Sequence, residues 1–341
     1  MATQALKPSK IILLFLLIAL TSFGTLYAHF HYPAPNLAEP STESEPTLPA
    51  EPALPEPVNF QPTVDAWLTT ISGKAGVYIY DLDLEQVSAD YQSTTVFRSE
   101  SLYKLFVAYK GYQDLTAGLT SPTDPVSSGH NRAKCLDLSI RESHSPCAEA
   151  LRHQIGIDHL NQVIKNEWGI PNTNIANLNS TAQDVTKVMQ LLLTDPNFSA
   201  ETHATIKDSL LNQPCTNNGL CSGCCNWRQG LPSGFSSDIK VYNKVGWLHS
   251  GTGNIWTYYH DTALVEFPAR NSTTTPVENQ PSALQNSEPT PLEPNKPRHF
   301  LITIMTSRVH FRDIARLATD LETFFYQNPW HFIPLMYNKR C

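Results

Sequence analysis

No basic cluster occurs anywhere in this chain. Lysine and arginine number 24 against 31 acidic residues, a formal net charge of −7. A nucleic-acid surface needs concentrated cations to meet phosphates, so that class of partner is excluded. Metal-ligand spacing is missing too. Cys221-x-x-Cys224 has no second matching pair and no histidine at ligand distance, so neither a metal nor another cofactor is expected. Charge is absent from Ile11 to Ala28, a run of 18 residues that follows Lys7 and Lys10. Residues 1–28 therefore read as a signal anchor or a signal peptide. The length suffices to span a bilayer, and Leu26 fits a cleavage site poorly. Both readings take the rest of the chain out of the cytoplasm, either anchored to the membrane by this helix or secreted after cleavage.

Seven cysteines suit an oxidising compartment. Cys135 and Cys147 bracket a short helical segment and are expected to pair. Cys215, Cys221, Cys224 and Cys225 crowd into eleven residues and read as a disulfide-stapled loop of open connectivity. The odd count leaves a thiol over, assigned to Cys341. Residues 29–62 form a spacer, with nine prolines after residue 32, that cannot bury enough apolar area to fold. Residues 271–297 hold six prolines and no apolar period, and read as a disordered insertion. A folded domain is expected over 63–327, with a tail over 328–341.

Within that domain, β-branched and aromatic content marks strands at 75–81, 87–91, 239–248, 255–267 and 298–306. Helices are expected at 136–141, 147–154, 157–168, from the stretch 180–184 to about 194, from the stretch 199–201 to about 212, and over 312–325. Strands early and late, with helices between, imply one antiparallel sheet built from both chain ends, flanked by helices, plus a helical subdomain.

The stretch from Phe97 to Tyr109 runs from a loop into an apolar helix, with Ser101 and Lys104 at the junction. Residues three apart on a helix share a face. A serine hydroxyl attacks only when a base takes its proton, and a lysine is a base only when burial or a neighbouring cation lowers its pKa. A helix N-terminus adds a free N–H for an oxyanion. Two later stretches join this one: Ser143-His144-Ser145 on a turn before a helix, and Lys244-Val245-Gly246 in a strand. In this order the chain resembles the penicillin-recognising serine acyltransferases, which carry Ser-x-x-Lys, Ser-Asp-Asn and Lys-Thr-Gly. The resemblance spans about 63–327 and is closest to class A β-lactamases, giving an α/β (α+β) fold of the β-lactamase/transpeptidase kind.

It implies an acyl-enzyme formed with β-lactams or peptidoglycan peptides by a monomer. Ser101 would be the nucleophile, Lys104 its base and Ser143 a proton relay to the leaving nitrogen. Lys244 would lower the pKa of Lys104 and attract a substrate carboxylate. The backbone N–H groups of Ser101 and Trp247 would form the oxyanion hole. Substrate contacts would come from Ser145, Val245, Gly246 and Arg228, the last with an internal ion pair as its other reading. Departures from the pattern matter. Ser145 is shorter than asparagine, and Val245 lacks the hydroxyl of threonine. The loop that carries a water-activating glutamate in class A enzymes is short here, and its Glu167 precedes rather than follows an aromatic residue. Slow deacylation is therefore expected. The competing reading is a catalytically degenerate member that binds cell-wall peptides or a protein partner.

Overall fold

The computed structural model describes residues 57–127, 129–213, 226–249, 256–269 and 296–327. The apolar N-terminal run, the spacer before residue 57, the four clustered cysteines, nearly all of the insertion and the tail with Cys341 lie outside the described residues. Along the chain, helix α1 (Gln61–Leu68) precedes strands β1 (Lys74–Asp81), β2 (Gln86–Tyr91) and β3 (Phe97–Arg98). A 3₁₀ turn (Glu100–Leu102) leads into α2 (Tyr103–Thr116). A ribbon of β4 (Pro125–Ser127) and β5 (His130–Asn131) is followed by α3 (Arg132–Arg141), α4 (Ser145–Ile155) and α5 (Ile157–Asn166). Then come β6 (Asn179–Ser180), α6 (Ala182–Thr194), α7 (Ala200–Leu211) and the short α8 (Leu231–Gly234). The chain closes through β7 (Lys240–His249), β8 (Trp256–Phe267), β9 (Arg298–Ser307) and α9 (Phe311–Gln327).

The main sheet has the order β2-β1-β9-β8-β7. Every neighbouring pair in it is antiparallel. The expected union of chain ends is its centre: Val77 of β1 faces Ile304 of β9. Side chains alternate across a strand, so each face carries its own core. Val77, Ile79, Val241, Ala263, Phe300 and Ile302 pack with α1, α8 and α9 on one face. Tyr242, Leu264, Leu301 and Met305 pack with the helical body, α2 to α7, on the other. Burial of these apolar side chains holds the layers together.

The helix starts follow capping chemistry. Thr181 accepts from Asp184 N and Ser199 from Thr202 N, where the sequence places helix N-termini. Two-residue strands carry no readable pattern, and the β3–β6 pair was not expected from sequence; Phe97 pairs with Ser180 and Arg98 with Asn179. That pair fastens the end of the 167–178 loop beside the turn that carries Ser101.

Cys135 and Cys147 form a disulfide, both ends fully buried, joining α3 to α4 on either side of Ser143. The sequence-level pairing holds. Closing a loop of this length removes freedom from the unfolded chain. Replacing both cysteines by serine is expected to lower unfolding free energy by about 2–4 kcal/mol in urea denaturation at constant m-value.

Candidate active site

The turn before α2 is pinned from two sides. His260 of β8 is fully buried, and its Nε2 lies 2.7 Å from the Arg98 carbonyl oxygen. Its Nδ1 accepts from Thr306 N at 2.9 Å, so Nε2 carries the proton that Arg98 accepts. Burial lowers the His260 pKa to about 4, which keeps this neutral tautomer. On the other side, Ser99 donates its N–H and its hydroxyl to Leu178 O at 2.6 and 2.9 Å. Between these anchors Glu100 takes a left-handed φ of 48°. The chain then enters the 3₁₀ turn with Ser101 half-buried at the surface of the helical body.

Lys104 sits one step further along, 1% exposed. Its Nζ donates to Ser143 O at 2.5 Å and lies 3.2 Å from Ser143 Oγ and 3.0 Å from Ser145 Oγ. Lys244 enters from β7, also 1% exposed, with Nζ 2.9 Å from Ser143 Oγ and 2.8 Å from Val245 O. Two residues separated by 140 positions thus converge on one hydroxyl. Ser143, at φ 53° between α3 and α4, is aimed at both amines. Burial, opposed by the negative charge of Glu149, brings the Lys104 pKa down to about 8. Burial also drives Lys244 well below the usual lysine range; the Lys104 cation adds to this, and Asp261 of β8 counters it. As a free amine, Lys104 keeps a lone pair to receive a hydroxyl proton.

The remaining expected residues divide. Ser145 reaches Lys104 as described. Gly246 serves packing: a Cβ there would meet Ser99 O at 2.7 Å and Leu102 N at 3.1 Å, so β7 lies directly against the serine turn. Besides the substrate contact that the resemblance implies, this glycine has a structural reason, the close contact between two backbones. Val245 is 1% exposed in the outer-face core beside Trp256 and Tyr259, so its carbonyl rather than its side chain adjoins Lys244. Trp247 follows on the same strand, its ring against Trp227 and Trp256. Arg228 donates Nη1 to Leu211 O at 3.1 Å and to Val241 O at 3.2 Å, binding the chain to itself; its ionic neighbour is Asp261.

His144 proves to be the N-cap of α4, its Nδ1 accepting from Cys147 N at 3.3 Å. An imidazole thus does what an aspartate commonly does at that position. Glu167 is exposed at the C-terminal end of α5, with no bond to Lys104. The residue that sequence reading missed is Glu149. It accepts from the Tyr103 hydroxyl at 2.5 Å and pairs with Arg152 Nη2 at 2.5 Å. The available signal was spacing: Glu149 stands four residues after Ser145 on one helix, hence on one face. Among the described residues no group of His, Cys, Asp and Glu is arranged to hold a metal ion.

The close seat of Gly246 yields a test. Gly246→Ala is expected to cost about 1–3 kcal/mol in denaturation experiments, from overpacking against backbone. An unchanged denaturation midpoint would show that β7 and the serine turn make room for the methyl by moving together.

Comparison with solved structures returns the same architecture. A protein described as PBP-A matches with a TM-score of 0.60 at 14% identity, over 81% of this chain and all of the other. A class A β-lactamase from Bacteroides cellulosilyticus matches with a TM-score of 0.58 at 14% identity, over 78% of this chain and 97% of the other. A β-lactamase from Streptosporangium roseum gives 0.57 at 14%, over 78% and 98%. At such identity these likenesses concern the fold. Comparison with curated protein sequences finds no match. The family comparison matches residues 59–277, from the start of the domain through all three motifs, and on it the chain belongs to the beta-lactamase enzyme family.

Proposed function

We propose that the protein is a membrane-anchored, extracytoplasmic serine acyltransferase or hydrolase that forms an acyl-enzyme with β-lactams or peptidoglycan peptides and releases it slowly. The observation that carries this reading is the convergence of Lys104 and Lys244 on the Ser143 hydroxyl, one turn of α2 from Ser101. In the proposed reaction the Ser101 oxygen attacks the substrate carbonyl carbon while its proton passes to Lys104 Nζ. Ser143 delivers a proton to the departing nitrogen as the carbon–nitrogen bond breaks. The N–H groups of Ser101 and Trp247 hold the oxyanion. Lys244 attracts the carboxylate that both substrate classes carry near the scissile bond.

Slow release is supported by the position of Glu167, exposed at the end of α5 and not hydrogen-bonded to either lysine. A point mutant of PBP-A has been captured as an acyl-enzyme with penicillin G; it matches with a TM-score of 0.60 at 14% identity, over 80% of this chain and all of the other. The extracytoplasmic location is supported by the charge-free run after Lys7 and Lys10 and by the Cys135–Cys147 disulfide. Among the described residues no helix is long and apolar enough to cross a membrane; the N-terminal run lies outside them.

A fluorescent penicillin is expected to label the protein covalently, with Ser101→Ala abolishing the label. The labelling rate should rise with pH through about 8, because Lys104 acts only after losing its proton. Intact-protein mass spectrometry should show an adduct that outlasts many acylation times. Absence of any adduct on folded protein would favour the degenerate, peptide-binding reading. Rapid sustained turnover of a chromogenic cephalosporin would overturn slow release.

A further inference from the structure

Among the described residues no carboxylate touches Lys104 or Lys244, yet one stands a single helical turn away. Ser145 and Glu149 lie four apart on α4 and share the face turned toward Lys104. Glu149 is fixed at both oxygens: Oε1 accepts from the Tyr103 hydroxyl, and Oε2 pairs with Arg152 Nη2. Tyr103 is the residue directly before Lys104, whose Nζ lies 5.8 Å from the Tyr103 ring centre. The Arg152 guanidinium lies 5.7 Å from the same ring and also donates to Ile175 O at 3.1 Å, in the 167–178 loop. Three side chains from two helices therefore lock a negative charge beside the buried lysine and tie it to that loop.

We propose that Glu149 is a positioning residue that governs when Lys104 can accept the Ser101 proton. The inference rests on the reading of Lys104 as the base for Ser101. Lys104 faces Lys244 from β7, with Asp261 of β8 behind it, Glu149 and Arg152 from α4, and Tyr103 on its own helix. Of these, Glu149 is the negative charge that acts on Lys104. When the Ser101 O–H bond breaks and its proton joins Nζ, an ammonium forms between a second lysine and this carboxylate. Glu149 stabilises that cation, and in the resting protein the same attraction retains the proton to higher pH. A carboxylate here therefore makes the amine a stronger base that is free in a smaller fraction of molecules near neutrality.

Two readouts separate this role from a structural one. The first is titration of Lys104 by NMR of its side-chain ¹³Cε, assigned with Lys104→Arg, in the full protein without ligand. The wild-type midpoint is expected near 8, and Glu149→Gln should move it to lower pH. Tyr103→Phe keeps the ring but frees the carboxylate to turn outward, so it should move the midpoint the same way by less. Glu149→Asp should restore part of the shift. The second readout is the pH profile of penicillin labelling. Glu149→Gln should label about threefold faster at pH 6.5, the equivalent of half a pH unit, with a lower plateau at high pH. An unmoved NMR midpoint in folded Glu149→Gln overturns the inference even if wild type labels. If that variant does not fold, an unmoved midpoint in Tyr103→Phe does the same. A moved midpoint in a protein that never labels at any pH instead overturns the reading of Lys104 as base.

Discussion

Two buried lysines share one serine hydroxyl, and much of the structure exists to make that possible. An ammonium in a dry pocket is costly, and a second one beside it more so. The protein meets this cost with acceptors rather than with a contacting carboxylate. Ser143 offers its carbonyl and hydroxyl, Ser145 its hydroxyl and Val245 its carbonyl. Each acceptor sits where it does because a larger element holds it. The left-handed turn at Ser143 is braced by the Cys135–Cys147 disulfide and by His144 capping the next helix. β7 reaches the site because Gly246 lets it touch the serine turn.

Electrostatics then divide the labour between the two amines. Lys104, near 8, sits where a modest change of environment switches it from acid to base. Lys244 lies deeper, and Asp261, whose pKa burial raises to about 7, stands behind it. The pair is therefore coupled, and a proton arriving on one amine discourages a proton on the other. A hydroxyl placed between them is well suited to carry that proton from one side of the cleft to the other.

Much of this was legible from the chain. The order of the three motifs survives because each is a local pattern, and the sheet of both chain ends follows from strands of strong β-branched content. The Cys135–Cys147 pair was readable from the short helix between them. What was not legible is contact between distant parts. Nothing in Lys104 foretells that its amine turns to Ser143 and Ser145 rather than to Ser101. The capping role of His144 gave no sign of itself because it depends on the backbone of Cys147, which a residue type does not announce. The packing role of Gly246 was hidden because its neighbour is Ser99, 147 positions earlier in the chain. Glu149 was overlooked because its meaning comes from Tyr103 on another helix.

The central pairing of β1 with β9 has a consequence for how the chain is made. Ribosomes deliver the N-terminal strand first, and domains assemble as their parts emerge. Here β1 must wait for Arg298–Ser307, the penultimate element of the fold, before its inner edge is covered. Until then a strand with Val77 and Ile79 on one face and open hydrogen-bonding groups along its side stays exposed. The serine turn, the loop beyond it and β7 cannot be drawn together earlier, since His260 and Thr306 belong to the last hairpin. The cluster around Lys104 and Lys244 therefore comes together only when both ends of the described domain have met.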